Sequence, residues 1–146
     1  MKIKEEFDKR MCETYPDIFR ERNLPMSETC MCWGFDIGPG WYDIIEIACK
    51  QIKFISDQTG VEIVAKQIKE KFGTLRFYIG VYWPKDSKIS NEEIGITEDI
   101  IDTIINNAEM MSANTCEECG EPGSLRVNGW LVTLCEKCYD KRFNKK

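Results

Sequence analysis

The run Cys116-Glu117-Glu118-Cys119-Gly120-Glu121-Pro122-Gly123, answered further on by Cys135-Glu136-Lys137-Cys138, decides the fold of the C-terminal part of the chain. A C-x-x-C pair sets two thiolates on one tight turn, and a hairpin between two such pairs brings the chain back with the other two. Zinc accepts four thiolates as a tetrahedron at about 2.3 Å. The C-x2-C-x15-C-x2-C spacing belongs to the zinc class. Gly120 stands where a knuckle turn needs positive φ, and Pro122-Gly123 continue the turn. Cys116, Cys119, Cys135 and Cys138 are therefore expected to hold one structural zinc per chain.

Four cysteines fill the tetrahedron and leave no position for a reactive water. The chain contains no histidine, the usual side chain for activating one. A redox C-x-x-C would be expected beside a βαβ pattern, and none precedes it. Cross-linking of the pairs as disulfides is the remaining alternative. The opening Met1-Lys2-Ile3-Lys4 lacks an apolar leader core, so a reducing cytosol is the expected compartment and disulfides are disfavoured there.

Working outward, the 146 residues read as one α+β body, 1–112, with a zinc-ribbon unit, 113–146, docked on it. Hydrophobic residues at 42% and charged residues at 31% describe a globular chain rather than a disordered one. No apolar run approaches the length needed to cross a bilayer, so no membrane partner is expected. Formal charge is −5, with 14 Lys/Arg against 20 Asp/Glu in residues 1–112 and 6 against 5 beyond. That balance disfavours a general duplex-coating protein, which neutralises phosphates with Lys and Arg.

Ile3, Phe7, Met11 and Tyr15 mark a first helix over 3–14, stopped at Pro16. Residues 23–40 form the longest apparent loop, and its apolar stretch Cys30-Met31-Cys32-Trp33-Gly34-Phe35 should fold back onto the core. Ile44, Ile45, Ala48, Ile52 and Ile55 predict a second helix from Trp41 to Gln58, stopped by Gly60. Two strands follow at about 61–70 and 74–83, with Lys71-Phe72-Gly73-Thr74 as the hairpin connection; a helix at 62–71 competes for the first. A third helix is expected at 98–112, capped by Thr97. The sum is helices packed on a small antiparallel sheet, closed by the ribbon.

Three stretches resemble a group of small proteins found in tailed bacteriophages, prophages and some bacterial genomes. They are Trp33-Gly34-Phe35 with Gly38-Pro39-Gly40-Trp41-Tyr42, then Gln67 through Tyr78, and finally the cysteine run with Gly129-Trp130 and Thr133-Leu134-Cys135. The last ligand in that group is Cys or His, and here it is Cys138. The resemblance implies a phage or bacterial origin and a zinc-supported fold, and brings no activity with it.

Away from the cysteines, Lys66, Lys69, Lys71 and Arg76 lie in and around a hairpin that also carries Phe72, Phe77 and Tyr78. Cations bind phosphate and aromatic faces stack on bases. Lys69, Lys71, Arg76, Tyr78 and Trp41 are thus candidate ligand-binding residues for a nucleotide or a single strand. The plainer reading, a solvated hairpin face tied by Glu70 and core aromatics, is preferred from sequence. Gly38-Pro39-Gly40 could present amides to an anion, but no Walker lysine follows and a structural turn suits it better. Cys12, Cys30, Cys32 and Cys49 are read as core or surface thiols rather than as a second metal set.

With no catalytic constellation in view, the expected function is non-enzymatic binding of a macromolecular partner, most simply a protein, in the cytoplasm of a bacterial cell. Two alternatives stand beside it. One is capture of a nucleotide or nucleotide signal, in the manner of phage anti-defence proteins. The other is nucleic-acid binding by the ribbon through Arg126, Lys137, Lys141 and Arg142.

Overall fold

The computed structural model describes residues 2–144. Lys145 and Lys146, part of the basic tail, lie outside the described residues. Helix α1, Lys2–Thr14, buries Phe7 and Met11. Past Pro16 the chain turns across the core, burying Ile18 and Phe19. Arg22 pins this segment, donating to the Asp8 carboxylate through Nε at 3.1 Å and Nη2 at 2.7 Å, and to the Cys32 carbonyl at 3.0 Å.

The 23–40 loop folds back only in part: Met31 and Phe35 are buried, while Cys30 and Trp33 of the same apolar stretch stay exposed. It also contributes a strand that the sequence does not announce, β1, Phe35–Asp36. A short 3-10 turn, Pro39–Trp41, then leads into α2, Tyr42–Thr59. Ile44, Ile45, Ala48, Cys49 and Ile52 give α2 its buried face. Gly60 ends it in the left-handed conformation, its amide donating to the Ser56 carbonyl.

Strands β2, Glu62–Lys71, and β3, Thr74–Tyr82, pair antiparallel, which decides against a helix at 62–71. Their connection places Phe72 and Gly73 at φ 55° and 84°, the two positive values that a tight type I′ hairpin turn demands. The strand β1 adds to β2 in parallel, Phe35 opposite Ile68 and Asp36 opposite Lys69. The sheet, order β1-β2-β3, is therefore mixed rather than antiparallel. Along β3, Leu75 and Phe77 face the core while Tyr78 and Tyr82 face solvent.

Helix α3 runs Asn91–Ser112 and packs on α2 and β3. It starts two turns before the expected Thr97 cap. Ser90 is the cap, its hydroxyl accepting from the Glu93 amide at 3.2 Å. Thr97 lies inside the helix and donates to the Glu93 carbonyl. The ribbon follows: β4, Ser124–Arg126, pairs antiparallel with β5, Val132–Leu134, and α4, Glu136–Phe143, closes the chain.

Candidate metal centre

Two turns and one hairpin assemble the four cysteines. The first pair sits on the turn after α3, where the Gly120 amide donates to the Cys116 carbonyl at 2.9 Å and Gly120 takes φ 83°. The β4–β5 hairpin returns the chain, and Cys135 then caps α4, its sulfur accepting from the Cys138 amide at 3.4 Å. One Sγ from each of Cys116, Cys119, Cys135 and Cys138 lies within 4.8 Å of every other.

Cys119 Sγ and Cys135 Sγ are 3.7 Å apart. A tetrahedron with about 2.3 Å metal–sulfur bonds has edges of about 3.8 Å, whereas a disulfide bond is about 2.05 Å long. The donor set fits a tetrahedral ion. Burial raises the Cys116 thiol, but hydrogen bonds from the Cys135, Cys119 and Glu118 backbone outweigh it and bring it to about 7. Burial and the neighbouring thiols push Cys138 up to about 12. Metal binding would displace these protons, since only thiolates ligate.

The centre is built into the body. The Gly38 amide donates to Glu117 Oε2 at 2.9 Å, and the Gly40 amide to the Glu117 carbonyl at 2.7 Å. Burial raises the Glu117 carboxyl, against the lowering effect of the Gly38 amide. Trp41 is 0% exposed and its indole N–H donates to the Thr115 carbonyl at 2.8 Å. On the other flank, Thr133 Oγ1 donates to the Gly73 carbonyl at 2.6 Å, and the Leu75 amide donates to Ser112 Oγ at 2.8 Å. Both hydroxyl residues are fully buried.

A Cβ at Gly40 would stand 2.0 Å from the Cys116 carbonyl oxygen, and one at Gly38 would stand 2.5 Å from the Glu117 carbonyl oxygen. The Gly-Pro-Gly segment therefore seats the ligand turn against the body. Its two glycine amides are taken by Glu117, which makes it a docking element rather than an anion cradle.

The candidate ligand residues separate. Lys69 and Arg76 are direct cross-strand partners, with Gln67 opposite Tyr78 and Lys71 opposite Thr74 on the same outer face. Trp41 is fully buried with its indole bonded to Thr115 just before the first ligand turn, so it is not part of that exposed face. Among the described residues, Cys12, Cys30, Cys32 and Cys49 do not come together as a metal set. The residues that sequence reasoning missed are those of the joint: Glu117, Ser112 and Thr133. Nothing in their own spacing marks them.

Comparison with protein-family models, curated proteins and solved structures returned no match. Fold and site by themselves define the class: an α+β domain closed by a C-terminal four-cysteine ribbon that can hold a metal ion.

Proposed function

We propose that this chain is a non-catalytic binding protein of phage or bacterial origin, working in the bacterial cytoplasm. One zinc ion on Cys116, Cys119, Cys135 and Cys138 fixes the ribbon against the body. The surface held in this way engages a macromolecular partner.

The observation that carries the reading is the closed four-sulfur cluster bonded into the body at Gly38, Gly40 and Trp41. Four thiolates in a tetrahedron suit zinc and leave it no open position. Metal and fold are then coupled, and the ion acts as a structural brace. Beside it, Trp130 of the ribbon and Phe72 at the hairpin tip stand 77% and 63% exposed. Large aromatics held out in solvent support a contact role.

A second reading, capture of a free nucleotide, draws on Lys69, Lys71, Arg76 and Tyr78; Trp41 is too deeply buried to join them.

Native mass spectrometry of protein purified without chelator, combined with cross-linking in cells, tests the proposal. One zinc per chain and a stoichiometric macromolecular adduct are expected. Absence of metal, or a metal other than zinc, would refute the structural role of zinc. A retained small molecule of a few hundred daltons, without any macromolecular adduct, would overturn partner binding in favour of nucleotide capture.

A further inference from the structure

Resting on the reading of this chain as a binding protein, we propose that the outer face of the β2–β3 hairpin is a site for single-stranded nucleic acid. Lys69, Lys71 and Arg76 would hold phosphates, and Tyr78 and Phe72 would stack on bases.

Folding alone does not account for this face. Lys69 and Arg76 stand directly opposite each other across the antiparallel pair. Like charges in that position repel and weaken a hairpin. Further along the same hairpin the cations are neutralised: Lys66 pairs with Glu21, and Arg20 reaches across to Glu62. Among the described residues, Lys69, Lys71 and Arg76 form no ion pair. Glu70, the carboxylate closest in sequence, points to the other side of the strand, with Leu75 as its cross-strand partner, and accepts from the Gly73 amide at 2.7 Å. Asp36 flanks Lys69 from β1. On the α3 side Glu109 Oε2 accepts from the Phe77 amide at 3.1 Å. The three cations thus have two carboxylates beside them, Asp36 and Glu109, and pair with neither.

The aromatic residues tell the same story. Phe72 adopts φ 55°, a left-handed conformation that costs a bulky L-residue and that Asn or Gly would take easily. Burial does not compensate for it, because the ring projects into solvent with the Lys71 ammonium 5.5 Å from its centroid. Tyr78 is exposed two residues along the strand from Arg76. Three cations set between two exposed rings, Phe72 at the turn and Tyr78 along the strand, match a stacking platform for unpaired bases. A duplex keeps its base faces stacked on one another, so a single strand is the form that fits.

The test is fluorescence anisotropy on the full metal-loaded chain, with labelled oligothymidylate and oligouridylate of about ten nucleotides. Binding to one or both single strands is expected, and the two arms separate DNA from RNA. Replacing both Lys69 and Arg76 by Ala should flatten the slope of log affinity against log salt by about 1.4. Tyr78→Ala should weaken binding about five- to 150-fold, and Tyr78→Phe, which keeps the ring, should restore it. Lys137→Ala with Lys141→Ala, on the ribbon helix, should leave affinity unchanged. Circular dichroism and melting temperature confirm that each variant folds.

The site is refuted by absence of oligonucleotide binding, by unchanged binding after the Lys69/Arg76 double substitution, by loss through Lys137/Lys141 instead, or by equal affinity for polyglutamate. A protein adduct in cells without oligonucleotide affinity sinks this site and leaves the binding-protein reading intact. Failure of both sinks the two together.

Discussion

The body and the ribbon bury very different amounts of apolar side chain. The body has a continuous core running from Phe7 and Met11 through Trp41, Ile45 and Ile52 to Ile68, Phe77 and Ile101. Among the described residues, the ribbon's apolar cluster is Cys116, Val132 and Leu134, with Cys135, Cys138 and Tyr139 packed partly against them. A unit that small lacks the apolar area to offset its own conformational entropy, and such units depend on metals or on a larger neighbour. This ribbon has a four-sulfur donor set that can hold a metal and hydrogen bonds to the larger body. Its ligand turn is bonded to the Gly38–Trp41 segment, and its hairpin is bonded to the β2–β3 turn at Gly73. Within one chain, then, hydrophobic burial specifies one region and ligand chemistry with docking specifies the other.

Breaking the ribbon side should have the largest effect. Cys116→Ser removes a ligand whose sulfur is fully buried; apparent zinc-binding energies of about 10–16 kcal/mol in finger peptides set the scale. The variant should lose its metal and its ribbon amide protection in hydrogen exchange, while α2 and the β2–β3 hairpin stay protected. Next comes Trp41→Ala, which empties a core site and strips the Thr115 carbonyl of its donor. A loss of about 3–5 kcal/mol in denaturant titration is expected, felt by both regions because Trp41 belongs to both.

Gly40→Ala is smaller and more selective. Its Cβ meets the Cys116 carbonyl and the Gly120 amide, so about 1–3 kcal/mol should be lost through overpacking, along with metal affinity in a chelator competition. The smallest change goes the other way. Phe72→Asn relieves the left-handed backbone and should raise the melting midpoint, by about 1 kcal/mol in stability, while weakening single-strand binding. A destabilised Phe72→Asn variant would mean that the ring supports the fold after all.

The same contrast governs what could be read from the sequence. Periodicity locates α1, α2 and β3 because each lays a simple apolar pattern on one core, whereas the bulge between Ala65 and Gln67 breaks the alternation of β2 and lets a helix compete there. Spacing alone finds the four cysteines because ligand geometry is local. The strand β1 is invisible beforehand: two residues carry no period, and its pairing with Ile68 and Lys69 exists only once the loop has folded back. The start of α3 was legible, since Ser90-Asn91-Glu92-Glu93 is a capping-box pattern, but Gly95 and the sparse apolar residues before Thr97 hid it. The exposure of Phe72 and the burial of Trp41 follow from tertiary packing, which no local pattern encodes.

We propose that the metal holds the ribbon while the body holds itself. Timed alkylation with mass-spectrometric site assignment, on metal-loaded and chelated protein, tests it directly. Cys30, exposed in the fold, should label in both states. Cys116, Cys119, Cys135 and Cys138 should resist when loaded and label after chelation. Cys49 is fully buried on α2 with its thiol pushed up by burial, and should stay protected throughout. If chelation exposes Cys49 as fast as the four ribbon cysteines, the body depends on the metal too and the claim fails.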